Sequence, residues 1–218
     1  MKPAIISKAF KVTQNESIIS EVEKYYTSKI LAHGVSPAGV DWNSEASQLT
    51  RFEQLIKVIN EKSTFGILDY GCGYGALLKY LQTLYPEFEY TGFDISKEML
   101  LKAAEKHKDG NPKWINTLDR EICHYSIASG IFNVMLNHQD GWKEYVEDTL
   151  IDMFNRSTKG FSFNMLTKYS DHEYMKSHLF YADPAYYFDY CKRHFSKYIA
   201  LLHDYPLFEF TIIVKKEL

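Results

Sequence analysis

A run of glycines between a predicted strand and a predicted helix is the most informative stretch of the sequence. It reads ILDYGCGYGA over residues 67–76, with Gly71, Gly73 and Gly75 at alternate positions. Glycine adopts backbone angles that other residues resist, and it lets the chain approach a ligand closely because it carries no Cβ. The helix that follows offers free backbone N–H groups to an electronegative ligand group. The stretch therefore predicts a loop that binds a nucleotide-like cofactor.

Two acidic residues stand where such a cofactor would meet them. Asp94 ends the next predicted strand, where a carboxylate can accept hydrogen bonds from ribose hydroxyls. Asp69 lies just before the glycines and can face a ligand ammonium group. Gly71, Gly73 and Ala76 also satisfy the relaxed dinucleotide pattern G-x-G-x-x-[GA], so the glycines alone do not decide between cofactors.

Three features favour S-adenosylmethionine (SAM) over NAD. Asp69 would repel a pyrophosphate, whereas it would attract the ammonium group of an amino acid. Gly75 extends the motif to G-x-G-x-G. A long helical segment also precedes the glycine loop, and a predicted hairpin closes the chain. We therefore predict SAM as the cofactor, with an NAD-dependent enzyme and a non-catalytic cofactor-binding protein as the alternatives.

Composition and charge limit the classes of partner. The chain has 218 residues, and 25 Lys and Arg against 28 Asp and Glu give a formal net charge of −3. Proteins that bind nucleic acid or anionic membranes normally show a basic excess, and no apolar run approaches the roughly 20 residues that cross a bilayer. The charged N-terminus lacks the apolar core of a secretory signal, and three cysteines at unrelated spacings indicate reduced thiols. These features predict a cytoplasmic protein that binds neither nucleic acid nor membranes, and they leave the oligomeric state open.

Helical periodicity predicts two helices before the glycine loop. Thr13 and Glu16 have capping-box spacing, so we expect the first helix to begin near Thr13 and to stop at Gly34. A loop rich in turn formers follows, and a second helix is capped by Asn43 or Ser44. We expect residues 1–62 to form a helical cap or lid on residues 63–218, within one structural domain overall.

From Thr64 onward, short apolar runs alternate with helical patterns. Repeated βα units predict an α/β fold with a mostly parallel sheet and helices on both faces. The last two apolar runs flank a Tyr205-Pro206 turn and predict an antiparallel hairpin. The predicted strands are Phe65–Tyr70, Glu89–Asp94, Lys113–Asn116, Ile122–Ser129, Gly160–Leu166, Tyr198–His203 and Phe208–Lys215.

Residues 63–218 resemble the class I SAM-dependent methyltransferases, and the motifs that carry the resemblance are LDYGCGYG and GFDISKEML. The resemblance implies a Rossmann-like, seven-stranded, mostly parallel sheet with an antiparallel C-terminal strand. It also implies that the glycine loop, with Cys72 as a small space-filling residue, lines the methionine part of SAM. Asp94 would hold both ribose hydroxyls, and Ile95 and Met99 would pack near the adenine. The segment GVDWNSEASQLTRFEQL is similar to a group of small bacterial methyltransferases, which does not identify the methyl acceptor.

Five further residues are candidates for cofactor contacts. Asn116, after the third predicted strand, is a polar partner for the adenine amino group, or else a solvated turn residue. Ser129 and Gly130 follow the fourth strand, at the sheet edge where ligands bind in such folds. Trp42 would stack on the cofactor or exclude water, and Arg51 would pair with the methionine carboxylate. Alternatively, Trp42 packs a helix on the sheet and Arg51 forms a surface ion pair.

The acceptor is expected to be a small molecule that takes the methyl group on O or N. The motif [DN]-P-P-[YFW], typical of enzymes that methylate base or glutamine amino nitrogens, is absent from the sequence. A hydroxyl acceptor requires a base with a pKa near neutrality, which favours histidine. His138 follows the fourth predicted strand, His203 ends the sixth, and these two residues are the candidate bases. The eight histidines form no metal-binding signature, so we predict no metal.

Overall fold

The structure is a computed structural model that describes residues 3–61 and 63–217. Lys62, at the predicted boundary between cap and core, lies outside the described residues. Three short 3-10 helices span Pro37–Val40, Ile56–Val58 and His172–Tyr174. The α-helices are α1 Pro3–His33, α2 Glu45–Leu55, α3 Ala76–Gln82, α4 Lys97–Lys106, α5 Trp142–Arg156 and α6 Pro184–His194. The strands are β1 Phe65–Tyr70, β2 Phe88–Phe93, β3 Lys113–Ile115, β4 Cys123–Ala128, β5 Ser157–Leu166, β6 Tyr198–Leu202 and β7 Glu209–Lys215.

One seven-stranded sheet with the order β3-β2-β1-β4-β5-β7-β6 forms the centre of the molecule. All pairs from β3 to β5 are parallel, and β7 runs antiparallel to both β5 and β6. The structure therefore confirms the Rossmann-like, mostly parallel sheet and the antiparallel hairpin at its end. The strand order reverses between β1 and β4, and ligands in open α/β sheets bind at the carboxyl ends of the strands at such a point.

Both faces of the sheet are covered because its central strands are apolar on both sides. On one face, α5 buries Trp142 and Leu150 in a cluster with Phe161, Phe163 and residues of α1. On the other face, the second cluster unites α2, α3 and the inner strands; its buried members include Phe52, Leu55, Leu77, Leu81, Ile67 and Ile127. At about 25 cal/mol per Å² of apolar area, this burial is the main force that holds the helices on the sheet.

The boundaries of the first two helices test the capping signals. Gly34 follows the last residue of α1 with φ +62°, and its N–H donates to the Ile30 carbonyl at 2.9 Å, which confirms the predicted stop. Ser44 caps α2 by accepting a hydrogen bond from the Ser47 N–H. The predicted start at Thr13 is wrong, because α1 begins at Pro3. Residues 4–12 contain neither Gly nor Pro, and Pro is tolerated in the first helical turn, so nothing stops the helix from extending upstream.

The predicted strands match the observed ones to within a few residues. The largest difference is in β5, which begins at Ser157 rather than at Gly160. Asp94 follows β2 directly instead of ending it. Cys72, Cys123 and Cys191 are free thiols. Among the described residues, no helix has both the length and the apolar character that crossing a bilayer requires.

Candidate active site

The glycine loop turns sharply at the carboxyl end of β1. Gly71 and Gly73 have φ values of +80° and +53°, in the left-handed region that favours glycine. The N–H groups of Gly71 and Cys72 both donate to the Phe93 carbonyl, at 2.8 and 2.9 Å, which ties the loop to the end of β2. A Cβ on Gly71 would overlap the Ile131 side chain. The loop therefore lies against the segment after β4 and has no room for a side chain at Gly71.

Asp94 holds the other side of the glycine loop. Its Oδ2 accepts a hydrogen bond from the Gly73 N–H at 2.8 Å, and its Oδ1 accepts one from the Ser96 N–H at 2.9 Å. The side chain is buried, and this burial raises its pKa to about 6 although the two N–H groups act in the opposite direction. Each carboxylate oxygen accepts more than one hydrogen bond. Asp94 therefore keeps acceptor capacity for ligand hydroxyls.

Asp69 is a second buried carboxylate in the same region. The Tyr90 hydroxyl donates a hydrogen bond to its Oδ2. Burial raises the pKa of Asp69 to about 7, a shift that this hydrogen bond partly offsets and that the nearby Asp94 carboxylate increases. Two buried carboxylates without a cation are costly when ionised. A ligand that brings an ammonium group and hydroxyls would stabilise both.

Most of the predicted cofactor residues line one cavity of about 840 Å³ at the carboxyl ends of β1, β2 and β4. Within the described part of the chain, Ser129 Oγ is buried without a hydrogen-bond partner, so a bound polar group would satisfy it. The two buried carboxylates and the side-chain-free loop fit a molecule with the polarity of SAM. The predicted residues in its lining are Trp42, Asp69, Gly71, Cys72, Gly73, Asp94, Ile95, Met99, Ser129 and Gly130.

Three predicted cofactor residues lie outside this lining: Gly75, Asn116 and Arg51. Gly75 has φ +76° and starts α3, and a Cβ there would lie 2.6 Å from the Trp114 ring. Its glycine is therefore required by the turn and by packing on Trp114, not by the cavity. Asn116 is exposed in the bend after β3. It is not among the residues that line the cavity.

The predicted pairing of Arg51 with the cofactor carboxylate is contradicted by the structure. Arg51 Nε donates to both Glu209 carboxylate oxygens at 2.9 Å, and its NH2 donates to Oε1 at 2.5 Å. Its NH1 donates to the Ser47 carbonyl at 2.8 Å. Both side chains of the ion pair are buried, so the alternative of a surface ion pair is also wrong. The guanidinium holds β7 to α2, and its charge is paired with Glu209.

Trp42 lies at the centre of this region. The Arg51 Cζ is 3.7 Å from the centroid of the indole ring, which places the guanidinium on one ring face. The other contact is with Gly130, where a Cβ would overlap the ring. The Gly130 N–H donates to Asn164 Oδ1 at 2.8 Å, and Asn164 Nδ2 donates to Glu209 at 2.6 Å. These contacts form a ring from Trp42 through Arg51, Glu209 and Asn164 to Gly130 and back to Trp42. They fix the orientation of the indole and the position of the Gly130 backbone.

A second cavity, of about 1080 Å³, opens next to the first. The residues that line both cavities are Tyr26, Val40, Trp42 and Gly130. Other residues of the second lining include Asn133, Val134, Leu166, Tyr174, Leu179, Tyr181, Leu207 and Phe208. The two spaces therefore meet at the ring of Trp42 and the backbone of Gly130.

Helix α1 contributes Tyr26 to both linings. The sequence predicted a helical cap over residues 1–62, but not which of its side chains would face the cavities. Val22 and Tyr26 line the first cavity from above the sheet. The Tyr25 hydroxyl and Lys29 Nζ both donate to the Asp41 carboxylate, at 2.6 and 2.7 Å, and this links α1 to the loop that carries Trp42. The one signal in the sequence was the apolar period of α1, which is equally typical of ordinary packing.

The structure does not bring the two candidate bases to either cavity. His138 Nε2 lies 3.1 Å from Glu21 Oε2, beside α1. His203 is exposed after β6, and its ring lies 6.1 Å from that of Tyr169. Neither histidine is among the residues that line the two cavities, and within the described chain those linings contain no other histidine. A position after a strand specifies a sheet edge, but not the direction in which the side chain points.

Sequence comparison identifies the family. A family model described as a methyltransferase domain matches residues 67–159. A Mycobacterium tuberculosis protein, Rv1506c, whose name gives methyltransferase as a provisional assignment, is 50% identical over 166 residues. That match covers 74% of this chain and 99% of the relative.

Solved structures agree in fold. A DhpI complex with SAM and HEP covers 90% of this chain and 97% of its own, with 13% identity and a TM-score of 0.61. The plantazolicin methyltransferase BpumL, in complex with S-adenosylhomocysteine (SAH) and a pentazolic desmethylPZN analog, covers 91% and 98%, with 14% identity and a TM-score of 0.56. The magnesium protoporphyrin IX methyltransferase ChlM of Synechocystis PCC 6803 with bound SAM covers 78% and 82%, with 12% identity and a TM-score of 0.55. The chain belongs to the class I SAM-dependent methyltransferases, and its cofactor is SAM.

Proposed function

We propose that this methyltransferase moves the methyl group of SAM to an O or N nucleophile of a small-molecule acceptor. The observation that carries this proposal is the second cavity, which shares Trp42 and Gly130 with the first. A methyl donor in one space and an acceptor in the other would meet at this junction.

The residues of the first cavity divide among the parts of the cofactor. Asp94 would accept hydrogen bonds from the ribose hydroxyls, and Asp69 would face the ammonium group. The loop from Gly71 to Gly73 would lie along the methionine part, and Met99 would pack near the adenine. Bound SAM supplies a methyl group on a sulfonium sulfur, which is already a good leaving group.

The chain's own contribution is alignment and exclusion of water. Well-oriented reactants gain about 7–11 kcal/mol relative to free encounter in favourable cases. Residues 1–62 are the proposed cap: within them, α1 places Val22 and Tyr26 over the cavity, and Thr27 Oγ1 lies 2.7 Å from Ser96 Oγ at the start of α4. Trp42 would border both reactants where they meet. No histidine base is part of the proposal, because His138 and His203 lie elsewhere.

The names of related proteins support a small acceptor. ChlM is named for magnesium protoporphyrin IX, and BpumL was crystallised with a desmethylPZN analog. The alternative of an NAD enzyme has less support, because Asp69 is buried beside the glycine loop, where a pyrophosphate would have to bind.

Isothermal titration is expected to give a micromolar dissociation constant for SAH and an at least tenfold weaker one for NAD. The reason is the buried carboxylate of Asp69, which attracts the ammonium group of SAH and repels a pyrophosphate. When small molecules from a cell extract are supplied as acceptors, the protein should then convert SAM to SAH. Equal affinity for NAD and SAH would contradict the cofactor assignment, and SAH binding without any turnover would favour the non-catalytic alternative.

The affinity for SAH is expected to rise with pH between about 5 and 8. Burial raises the pKa of Asp94 to about 6 and that of Asp69 to about 7, and both must be carboxylates to accept the ligand's donors. In the ligand-free protein the raised pKa values mean that the native state binds more protons, so its unfolding free energy falls as pH rises through this window. The increase in melting temperature caused by SAH should therefore be larger at pH 8 than at pH 5.5. A pH-independent increase would contradict the role of the two carboxylates.

A further inference from the structure

We propose that the second cavity binds a flat aromatic hydroxy compound as the methyl acceptor, with the Asn133 side chain donating a hydrogen bond to the acceptor oxygen. This inference rests on the proposed methyl transfer and specifies its substrate class. It depends on the aromatic walls of the cavity, on the pairing of its charges and on the orientation of one buried amide.

Five aromatic residues contribute to the walls of the second cavity. Tyr174 and Phe208 face each other with ring centroids 6.2 Å apart and planes at 31°. Their exposed fractions are 62% and 45%, which is high for large apolar side chains that lie together. Trp42 and Tyr181 add two more rings to the lining. A flat ring system would cover these side chains and remove apolar area from water.

The interior charges of the cavity already have partners. Glu209 is bound by Arg51, and Asp41 is bound by Lys29 and the Tyr25 hydroxyl. Lys176 also lines the cavity but is exposed to solvent. The lining therefore offers no free buried charge among the described residues, and this favours an uncharged, apolar acceptor body.

Asn133 is a buried polar side chain of the second cavity's lining that keeps an unused hydrogen-bond donor. It is 6% exposed, and its Oδ1 accepts a hydrogen bond from the Leu166 N–H at 3.0 Å. Because a backbone N–H only donates, it fixes which amide atom is the oxygen, and Nδ2 must face the other way. Nδ2 lies 3.6 Å from the point where a Cβ on Gly130 would be, which is at the junction of the two cavities. Within the described chain, no hydrogen bond from this Nδ2 is present.

A free N–H donor at the junction selects an acceptor oxygen that carries lone pairs and negative charge. An aromatic hydroxyl ionises with a pKa near 10, as tyrosine does, far more readily than an aliphatic alcohol. A phenolate therefore needs no histidine beside it. In the transfer, the hydroxyl proton goes to water, the oxygen–methyl bond forms, and the methyl–sulfur bond breaks and leaves its electron pair on sulfur.

The test is calorimetric titration of the SAH-saturated protein with 2-naphthol and with decahydro-2-naphthol, its saturated counterpart. We expect 2-naphthol to bind at least tenfold more tightly. Phe208→Leu should reduce the affinity for 2-naphthol at least fivefold, and Asn133→Asp at least tenfold. The latter variant keeps the oxygen that accepts from Leu166 and replaces the donor by a carboxylate oxygen. Tyr169→Leu, also exposed but outside both cavities, is the control and should change nothing.

Each outcome has a separate meaning. Equal affinities for the two naphthols, or no binding of 2-naphthol, would overturn the aromatic class. Unchanged 2-naphthol affinity in a folded Asn133→Asp variant would overturn the role of Asn133. If Asn133→Asp does not fold, Phe208→Leu still tests the aromatic site, because Phe208 is exposed and its substitution should not disturb folding. SAH affinity, measured first in every variant, should stay within twofold of the wild type. Failure of the wild type to bind SAH would instead contradict the proposed function.

Discussion

Arg51→Met is expected to lower the free energy of unfolding by about 3–5 kcal/mol, the largest stability loss that we predict for a single change. The substitution leaves Glu209 as a buried carboxylate without its cation. Glu209 is 1% exposed, and the Asn164 Nδ2 hydrogen bond at 2.6 Å would be its one remaining side-chain partner among the described residues. Chemical denaturation followed by circular dichroism measures this loss.

The ion pair itself need not stabilise the fold for this loss to occur. Desolvation of two charges opposes their attraction, so a buried pair often contributes little relative to a well-packed apolar pair. The double variant Arg51→Met/Glu209→Met should therefore recover much of the stability that Arg51→Met loses. A matched surface control is Lys102→Met, which removes an exposed pair with Glu105 and should cause no measurable change. If Arg51→Met matched that control, the buried pair would have no structural role.

The double variant Arg51→Met/Glu209→Met also tests whether the ion pair affects cofactor binding as well as stability. Arg51 lies on one face of the Trp42 ring, and Trp42 borders both cavities. The double variant removes the charges but keeps an apolar side chain at each position. If it is stable and still binds SAH, the cofactor cavity does not depend on the ion pair, which is what the lack of contact between Arg51 and that cavity implies.

The parts of the site that could be predicted from the sequence are those that depend on the chain's local order. Asp69, Gly71 and Asp94 lie at the ends of consecutive strands, and parallel strands bring their carboxyl ends to one edge of the sheet. The βα pattern therefore determines their proximity. Ser129 and Gly130 follow for the same reason, since β4 pairs with β1 across the reversal in strand order.

The parts that could not be predicted depend on contacts between distant segments. Arg51 and Glu209 are 158 positions apart, and each looks like an ordinary surface residue in its own helix or strand. Their pairing follows from α2 packing on β7, which no local pattern specifies. The position of Val22 over the cavity likewise depends on how α1 crosses the sheet. His138 is the opposite case: its residue type and its position after β4 suggested a base, but its side chain lies beside Glu21 of α1 and outside both cavities.

Asp94→Ala is expected to weaken SAH binding at least tenfold. Hydrogen bonds to charged groups contribute about 1.5–3 kcal/mol each, and 1.4 kcal/mol corresponds to a factor of ten. The substitution also frees the Gly73 and Ser96 N–H groups that Asp94 now binds. Calorimetric titration measures the change, and Asp109→Ala, which removes an exposed acid at the same cost in net charge, should leave the affinity unaltered.

A weaker affinity alone would not distinguish direct contact with the ribose from support of the glycine loop. The 2′-deoxyribose analogue of SAH separates the two, because removal of one hydroxyl affects only a direct contact. If Asp94 binds the ribose, the analogue should bind the wild type several-fold more weakly than SAH does, and this difference should vanish in Asp94→Ala. If Asp94 acts only through Gly73, the ratio of the affinities for SAH and for the analogue should be the same in the wild type and in Asp94→Ala. Asp94→Asn, which keeps the size of the side chain, repeats the comparison if the alanine variant does not fold.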